Sequence, residues 1–121
     1  MRAAAGGLAL GRLGIGLGLV LLPRTAATAW LGDAAGDEEP TRVAVRALGG
    51  REIALGIGAL TALGEGRVDE ARRWLGAGVG SDVLDAVLTI ASDRPVTNRV
   101  LVTTMAAAGA GAGAVITSRP R

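Results

Sequence analysis

Apolar residues gather in four long runs along this chain, and most of the charged residues fall between them. Residues 3 to 23 (AAAGGLALGRLGIGLGLVLLP) are apolar apart from Arg12, and residues 43 to 64 (VAVRALGGREIALGIGALTALG) turn apolar after Arg46, Arg51 and Glu52. Residues 74 to 91 (WLGAGVGSDVLDAVLTIA) carry only Asp82 and Asp85, and residues 100 to 118 (VLVTTMAAAGAGAGAVITS) carry no charge at all. A helix needs about 20 mostly apolar residues to cross a hydrocarbon core of about 30 Å. The pattern therefore predicts an all-α protein, a four-helix transmembrane bundle running up-down-up-down. It forms one membrane domain over residues 1–121, with helices near 3–23, 43–64, 70–92 and 96–118. Pro23, Pro40, Pro95 and Pro120 sit at the ends of runs, where proline does not break a helix interior.

Two other readings compete. Arg2, the apolar stretch 13 to 22 and AATA at 26 to 29 resemble a secretory signal peptide, but Arg12 interrupts the apolar part and three more apolar runs follow. A soluble helical domain would explain why the second and third runs are short once charges are excluded. The fourth run argues against it, because a soluble helix shows a polar face and this one has none. Trp30 and Trp74 fall near run ends, where an aromatic belt would place them. With the amino terminus cytoplasmic, the inner side holds Arg2, Arg67, Arg72, Arg73, Arg119 and Arg121, and the outer side Arg24, Arg42, Arg94 and Arg99. That bias favours a multi-pass protein of the cell membrane with both termini inside, and puts the acidic GDEEP (36 to 40) in a long outer loop.

Composition narrows the chemistry. The chain has 121 residues, half of them hydrophobic, and a mean hydropathy of +0.42, too apolar for a solvated or disordered segment. Lys, His, Cys, Phe and Tyr are absent, so all 13 basic side chains are arginines. A net charge of +2 without an Arg run or stacking aromatics is no basis for nucleic-acid binding. Lacking His and Cys, the chain offers neither the usual zinc sites nor Ser–His or Cys–His pairs. GAGAGA at 109 to 114 meets Gly-x-Gly-x-x-Ala formally, yet the dinucleotide-binding unit needs a preceding strand, a following helix and a distant acid, for which the remaining seven residues leave no room. No cofactor is expected, and enzymatic activity is the least supported function.

Glycine is abundant, at 20 residues, and Gly-x-x-x-Gly spacing occurs at Gly7/Gly11, Gly14/Gly18, Gly76/Gly80 and Gly109/Gly113. In lipid such spacing lets backbones approach closely and gain van der Waals contact. These faces are expected to pack helices together and to offer a seam for a homo-oligomer.

Six ionisable residues fall inside the predicted spans: Arg12, Arg46, Arg51, Glu52, Asp82 and Asp85. At about 1.5 Å per residue, Arg12 lies roughly 14 Å from the inner end of its helix, Arg51 and Glu52 roughly 12 to 14 Å from the outer end of theirs, and the aspartates roughly 12 to 17 Å from the inner end of theirs. These depths overlap near the midplane. Asp82, Asp85 and Thr89 follow i, i+3, i+7 spacing and share a helix face. Arg46, about 140° around its helix from Arg51, has the option of snorkelling to the outer interface. An unpaired charge at the bilayer centre costs about 2.5 to 3.5 kcal/mol, so these groups are expected to pair or to reach water. One reading is a charge network that fixes helix register; the other is a polar pocket for a proton, cation or small polar ligand. Two carboxylates one turn apart plus Glu52 suit a divalent cation, but neighbouring guanidinium groups compete with it, so no metal is expected.

The segments GRLGIGLGLVLLPR, AWLGD, RVAVRALGGREIALGIGAL and RRWLGAGVGSDVLDAV, with a Gly/Ala-rich last run, resemble a small bacterial family of four-helix integral membrane proteins catalogued as a domain of unknown function. Its layout is similar to that of DoxX-like membrane proteins. The resemblance covers most of the chain through its GR, R-x-x-G-x-R-[DE] and D-x-x-D elements. It implies a four-helix membrane fold in which Arg12, Arg46, Arg51, Glu52, Asp82 and Asp85 form the polar signature, and it implies no activity. The combined expectation is a non-enzymatic membrane protein, accessory or small-solute-handling, that partners the lipid bilayer. A proton- or ion-coupled permease-like protein is the alternative.

Overall fold

The computed structural model describes residues 2–92 and residue 113, and among these every regular element is helical. Helix α1 spans Arg2–Leu21, α2 Pro23–Leu31, α3 Glu39–Gly64 and α4 Val68–Ile90, with a 3-10 turn at Asp33–Asp37. The all-α expectation therefore holds for the described residues. The first, second and third predicted helices correspond to α1, α3 and α4, with ends shifted by up to four residues. The fourth, 96–118, lies outside the described residues except for Gly113, which is helical and buried against Val79 of α4.

The connection between the first two long helices is folded, not an open loop. Leu22 leaves the helical region (φ −124°, ψ 52°), as a residue before proline tends to, and Pro23 then starts α2 at a position where its missing N–H costs nothing. Arg24 pairs with Asp37 at 2.5 Å, and Arg42 donates to the carbonyls of Gly36 and Asp37. The GDEEP acids thus serve the start of α3, where Glu38 and Glu39 suit the positive end of the helix and Pro40 fits the first turn. The α3–α4 turn closes through Gly66 at φ +74°: Gly66 N–H donates to Leu63 O and Arg67 N–H to Ala62 O. This pair of bonds is the glycine-dependent helix stop that satisfies the last carbonyls.

The three long helices pack through small residues at heptad-like spacing. The buried positions are Ala5, Ala9, Arg12 and Gly16 on α1, and Val45, Gly49, Glu52, Leu55, Gly56, Ala59 and Ala62 on α3. On α4 they are Ala71, Leu75, Gly78 and Thr89, with Asp82 and Asp85 in the same register and half-buried. Helices α1 and α3 run antiparallel in close contact: a Cβ on Gly16 would meet Gly49 O at 2.7 Å, one on Gly49 would meet Gly16 O at 2.7 Å, and one on Gly56 would meet Ala9 O at 2.8 Å. Trp74 of α4 covers Gly58 of α3.

Between the three long helices the packing glycines are not those singled out by spacing, whereas Gly113 of the fourth run, which was, is buried against Val79. Gly7, Gly11, Gly14, Gly18, Gly76 and Gly80 all have open space where a side chain would be, among the described residues. Heptad position, which decides what faces the partner helix, outweighs the i, i+4 repeat here. By length and composition α1 is the one described helix apolar enough to cross a membrane. Arg51 and Glu52 interrupt α3, and Asp82 and Asp85 interrupt α4.

Candidate functional site: a chain of alternating charges

The charges that interrupt the helices meet in one place. Arg12 of α1 reaches across to α3 and α4 at once: Nη1 is 2.5 Å from Glu52 Oε2, and Nη2 is 2.5 Å from Asp82 Oδ2. Arg51 takes the other oxygen of Glu52, with Nη2 2.9 Å from Oε1, and forks onto Asp85 with Nη2 2.7 Å from Oδ2. The order is Asp82–Arg12–Glu52–Arg51–Asp85, with the sign alternating at every step. Each Glu52 oxygen faces one guanidinium, so the carboxylate is satisfied from both sides.

Each side chain reaches this layer because its backbone position does. Arg12, Glu52, Asp82 and Asp85 occupy the same heptad register as the buried small residues of their helices. Arg12 is 4% exposed and Glu52 5%, so both sit as deep as the alanine core. Gly78, one turn before Asp82, provides the room. A Cβ there would fall 2.5 Å from Arg12 Cζ. The Asp85 end is more open, its side chain 21% exposed beside Arg51 at 32%.

Thr89 extends the site by one turn. Its hydroxyl donates to Asp85 O at 2.6 Å and accepts from Trp30 Nε1 at 3.3 Å. Trp30 thus ties α2 to the end of α4 that follows the aspartates. Of the predicted set, the structure unites Arg12, Arg51, Glu52, Asp82 and Asp85, with Thr89 adjoining. Arg46 stands apart. It is exposed, and its Nε donates to Val20 O at 3.3 Å. The break at Leu22 and Pro23 leaves the last carbonyls of α1 without helical partners, and a cation suits that negative end. With Arg46 apart, two guanidinium groups face three carboxylates in the cluster.

Two further properties bear on chemistry. Arg12 Nε is buried with no acceptor among the described residues. Every neighbouring pair of carboxylates in the chain has a guanidinium between its members, and no His/Cys/Asp/Glu cluster among the described residues is arranged to hold a metal ion. Gly78 escaped the sequence reading, and Trp30 was read only as an interfacial aromatic and not as part of this site. Gly78 was legible as the small residue four before Asp82 on the same stripe; no comparable signal links Trp30 to Thr89. The chain matches no family model, no curated protein and no solved structure, so the likeness to DoxX-like membrane proteins rests on the quoted residues alone.

Proposed function

We propose that the chain is a multi-pass protein of the cell membrane: a four-helix, up-down-up-down bundle with both termini cytoplasmic. Its alternating charge chain joins three of the spans. The observation that carries this reading is the inverted placement of polarity. The charges at mid-helix face inward, while large aliphatic side chains face outward: Leu10, Ile15 and Leu17 on α1, Ile57 on α3, and Val83, Leu84, Val87 and Leu88 on α4. A water-soluble bundle of this size would bury the leucines and expose the ion pairs. Only 22% of the apolar stretch of α1 is buried, too little for the core helix of a soluble domain. At about 1.5 Å per residue, helices of 20, 26 and 23 residues reach about 30 Å or more, the thickness of a hydrocarbon core.

In this reading the ion chain is chiefly architectural. Lipid offers no hydrophobic gain for helix association, so close glycine packing and interhelical charge pairs supply it. The chain fixes α1, α3 and α4 to one register and performs no bond chemistry, in keeping with an accessory or small-solute-handling role. The glycine face of α1, Gly7, Gly11, Gly14 and Gly18, open among the described residues, is the seam on which a second copy would pack. Carbonate washing followed by detergent extraction tests the membrane reading. The protein is expected in the detergent fraction; recovery in the soluble fraction ends the proposal.

The odd carboxylate favours a second reading, a proton- or ion-coupled permease-like protein. A buried cluster of two cations and three anions is completed by one proton or one monovalent cation, and the Asp85 end is the more accessible. Intramembrane ionisable groups commonly mark such pathways. Asp85→Asn removes the excess charge without emptying the site. It is expected to keep the protein folded and abolish pH-driven flux in sealed vesicles, whereas unchanged flux would leave the architectural role alone.

A further inference from the structure

At the end of the bundle where α1 begins and α3 turns into α4, a cavity of about 660 Å³ opens. Four arginines line it, Arg2, Arg67, Arg72 and Arg73, against two acids, Asp69 and Glu70. Their availability differs. Arg67 is engaged by Glu65 and Glu70. Arg2 donates to an uncharged partner, the Leu63 carbonyl, at 3.1 Å, and Arg73 is exposed. Below the guanidinium groups the wall is apolar, formed by Ala5, Leu63 and Leu75. Arg72 and Asp69 both have interactions of their own.

We propose that this cavity binds a net-anionic phosphate group. Planar guanidinium forks match phosphate oxygens with paired hydrogen bonds. Four such groups, drawn from the start of α1, the α3–α4 turn and the first turns of α4, leave an excess of one positive charge around the opening once Glu65, which pairs with Arg67, is counted. Cationic lining above an apolar wall suits an amphiphile whose phosphate is held at the rim and whose hydrocarbon rests below. In a membrane this end of the bundle lies at the headgroup level, since it is roughly 15 Å along α1 from Arg12. Anionic lipid attracts basic side chains there. The site rests on the membrane reading for its lipid source but not for its phosphate chemistry, because a free phosphate meets the same guanidinium groups.

The experiment uses the full chain in phosphatidylcholine nanodiscs and reads the thermal unfolding midpoint. One arm titrates inorganic phosphate against chloride at equal ionic strength. The other replaces part of the phosphatidylcholine with phosphatidylglycerol. A ligand that binds the folded state raises the midpoint with concentration. A rise in the first arm identifies phosphate itself; a rise in the second alone identifies the lipid headgroup. In either case Arg2→Gln/Arg73→Gln is expected to weaken the response about tenfold or more, the effect of losing a charge-assisted contact. Arg46→Gln, at the opposite end of the bundle, is expected to respond like the wild type. Exposed Arg73→Gln alone serves the comparison if the double variant does not fold. No midpoint shift with either probe, or an undiminished shift in the arginine variants, overturns the proposal. If the protein instead proves water-soluble, the phosphate arm runs in buffer, so failure of the membrane reading stays distinct from failure of the site.

Discussion

The guanidinium of Arg12 lies against Gly78, so close that a Cβ on the glycine would fall 2.5 Å from Cζ and from Nη2. The glycine on α4 and the arginine on α1 therefore define one another: the ion chain closes only because α4 has no side chain at that point. Displacing the guanidinium breaks its 2.5 Å contacts to Glu52 and Asp82 together, since the same group makes both.

Gly78→Ala is thus expected to destabilise the fold although alanine is the better helix former. The helix gain is about 1 kcal/mol, while separating a buried ion pair costs about 3 to 5 kcal/mol. A net loss of about 2 to 4 kcal/mol follows from the difference between those effects. Denaturant titration in detergent checks it against Gly76→Ala, which faces open space among the described residues and is expected to be neutral or slightly stabilising. Equal behaviour of the two variants would remove the proposed fit between Gly78 and Arg12.

The geometry also states which pairs couple. Arg12 bonds Asp82 and Arg51 bonds Asp85, whereas Arg51 and Asp82 do not touch in the chain's order. Double-mutant cycles with alanine are expected to give coupling of about 1 to 3 kcal/mol for Arg12/Asp82 and for Arg51/Asp85. Arg51/Asp82 is expected to show a smaller coupling, passed only through Glu52 and Arg12. A largest coupling for Arg51/Asp82 would contradict the alternating order.

Much of this layer was legible in the sequence, and the reason is periodicity. Asp82, Asp85 and Thr89 announce one face by their spacing, and the depths of Arg12, Glu52 and the aspartates along their helices coincide. Arg46 misled because charge counting treats every arginine inside an apolar run alike. Its actual partner, the Val20 carbonyl, becomes free only through the break at Pro23, a tertiary consequence of a local rule. The folded 23–42 segment was hidden for a related reason. Its helix is nine residues long, and it is held by the buried Pro23 and Ala27 and by a few hydrogen bonds, Trp30 to Thr89 and Arg42 to Gly36 and Asp37, that leave no repeating pattern. The glycines show the opposite case. Spacing was visible for Gly7/Gly11, but the packing glycines Gly16, Gly49 and Gly56 emerge only once the buried stripe is known.

Gly49→Ala is expected to part α1 from α3. The new Cβ meets backbone, Gly16 O at 2.7 Å, and the branched side chain of Val20 at 2.8 Å, so no rotamer change relieves it. Overpacking of this kind costs about 1 to 3 kcal/mol. Gly50→Ala, one residue on and facing open space among the described residues, is the control, and a thermal unfolding midpoint lowered only in Gly49→Ala is the expected result.

Leu10→Asp separates the two solvents that the outer face of α1 would meet. Leu10 is 59% exposed, so its side chain contributes little to packing within the chain. In water, a polar substitution at such a position changes stability by about 0.5 kcal/mol or less. At the centre of a bilayer the same aspartate costs about 2.5 to 3.5 kcal/mol on insertion scales. Leu10 lies half-way along α1, too far from either end for a short carboxylate to reach the headgroups. Membrane-integrated protein is therefore expected to fall sharply for Leu10→Asp while Asp is tolerated at Thr25, exposed beyond the end of α1. If Leu10→Asp folds and fractionates as the wild type does, the aliphatic face of α1 does not contact lipid, and the inverted placement of polarity needs another cover.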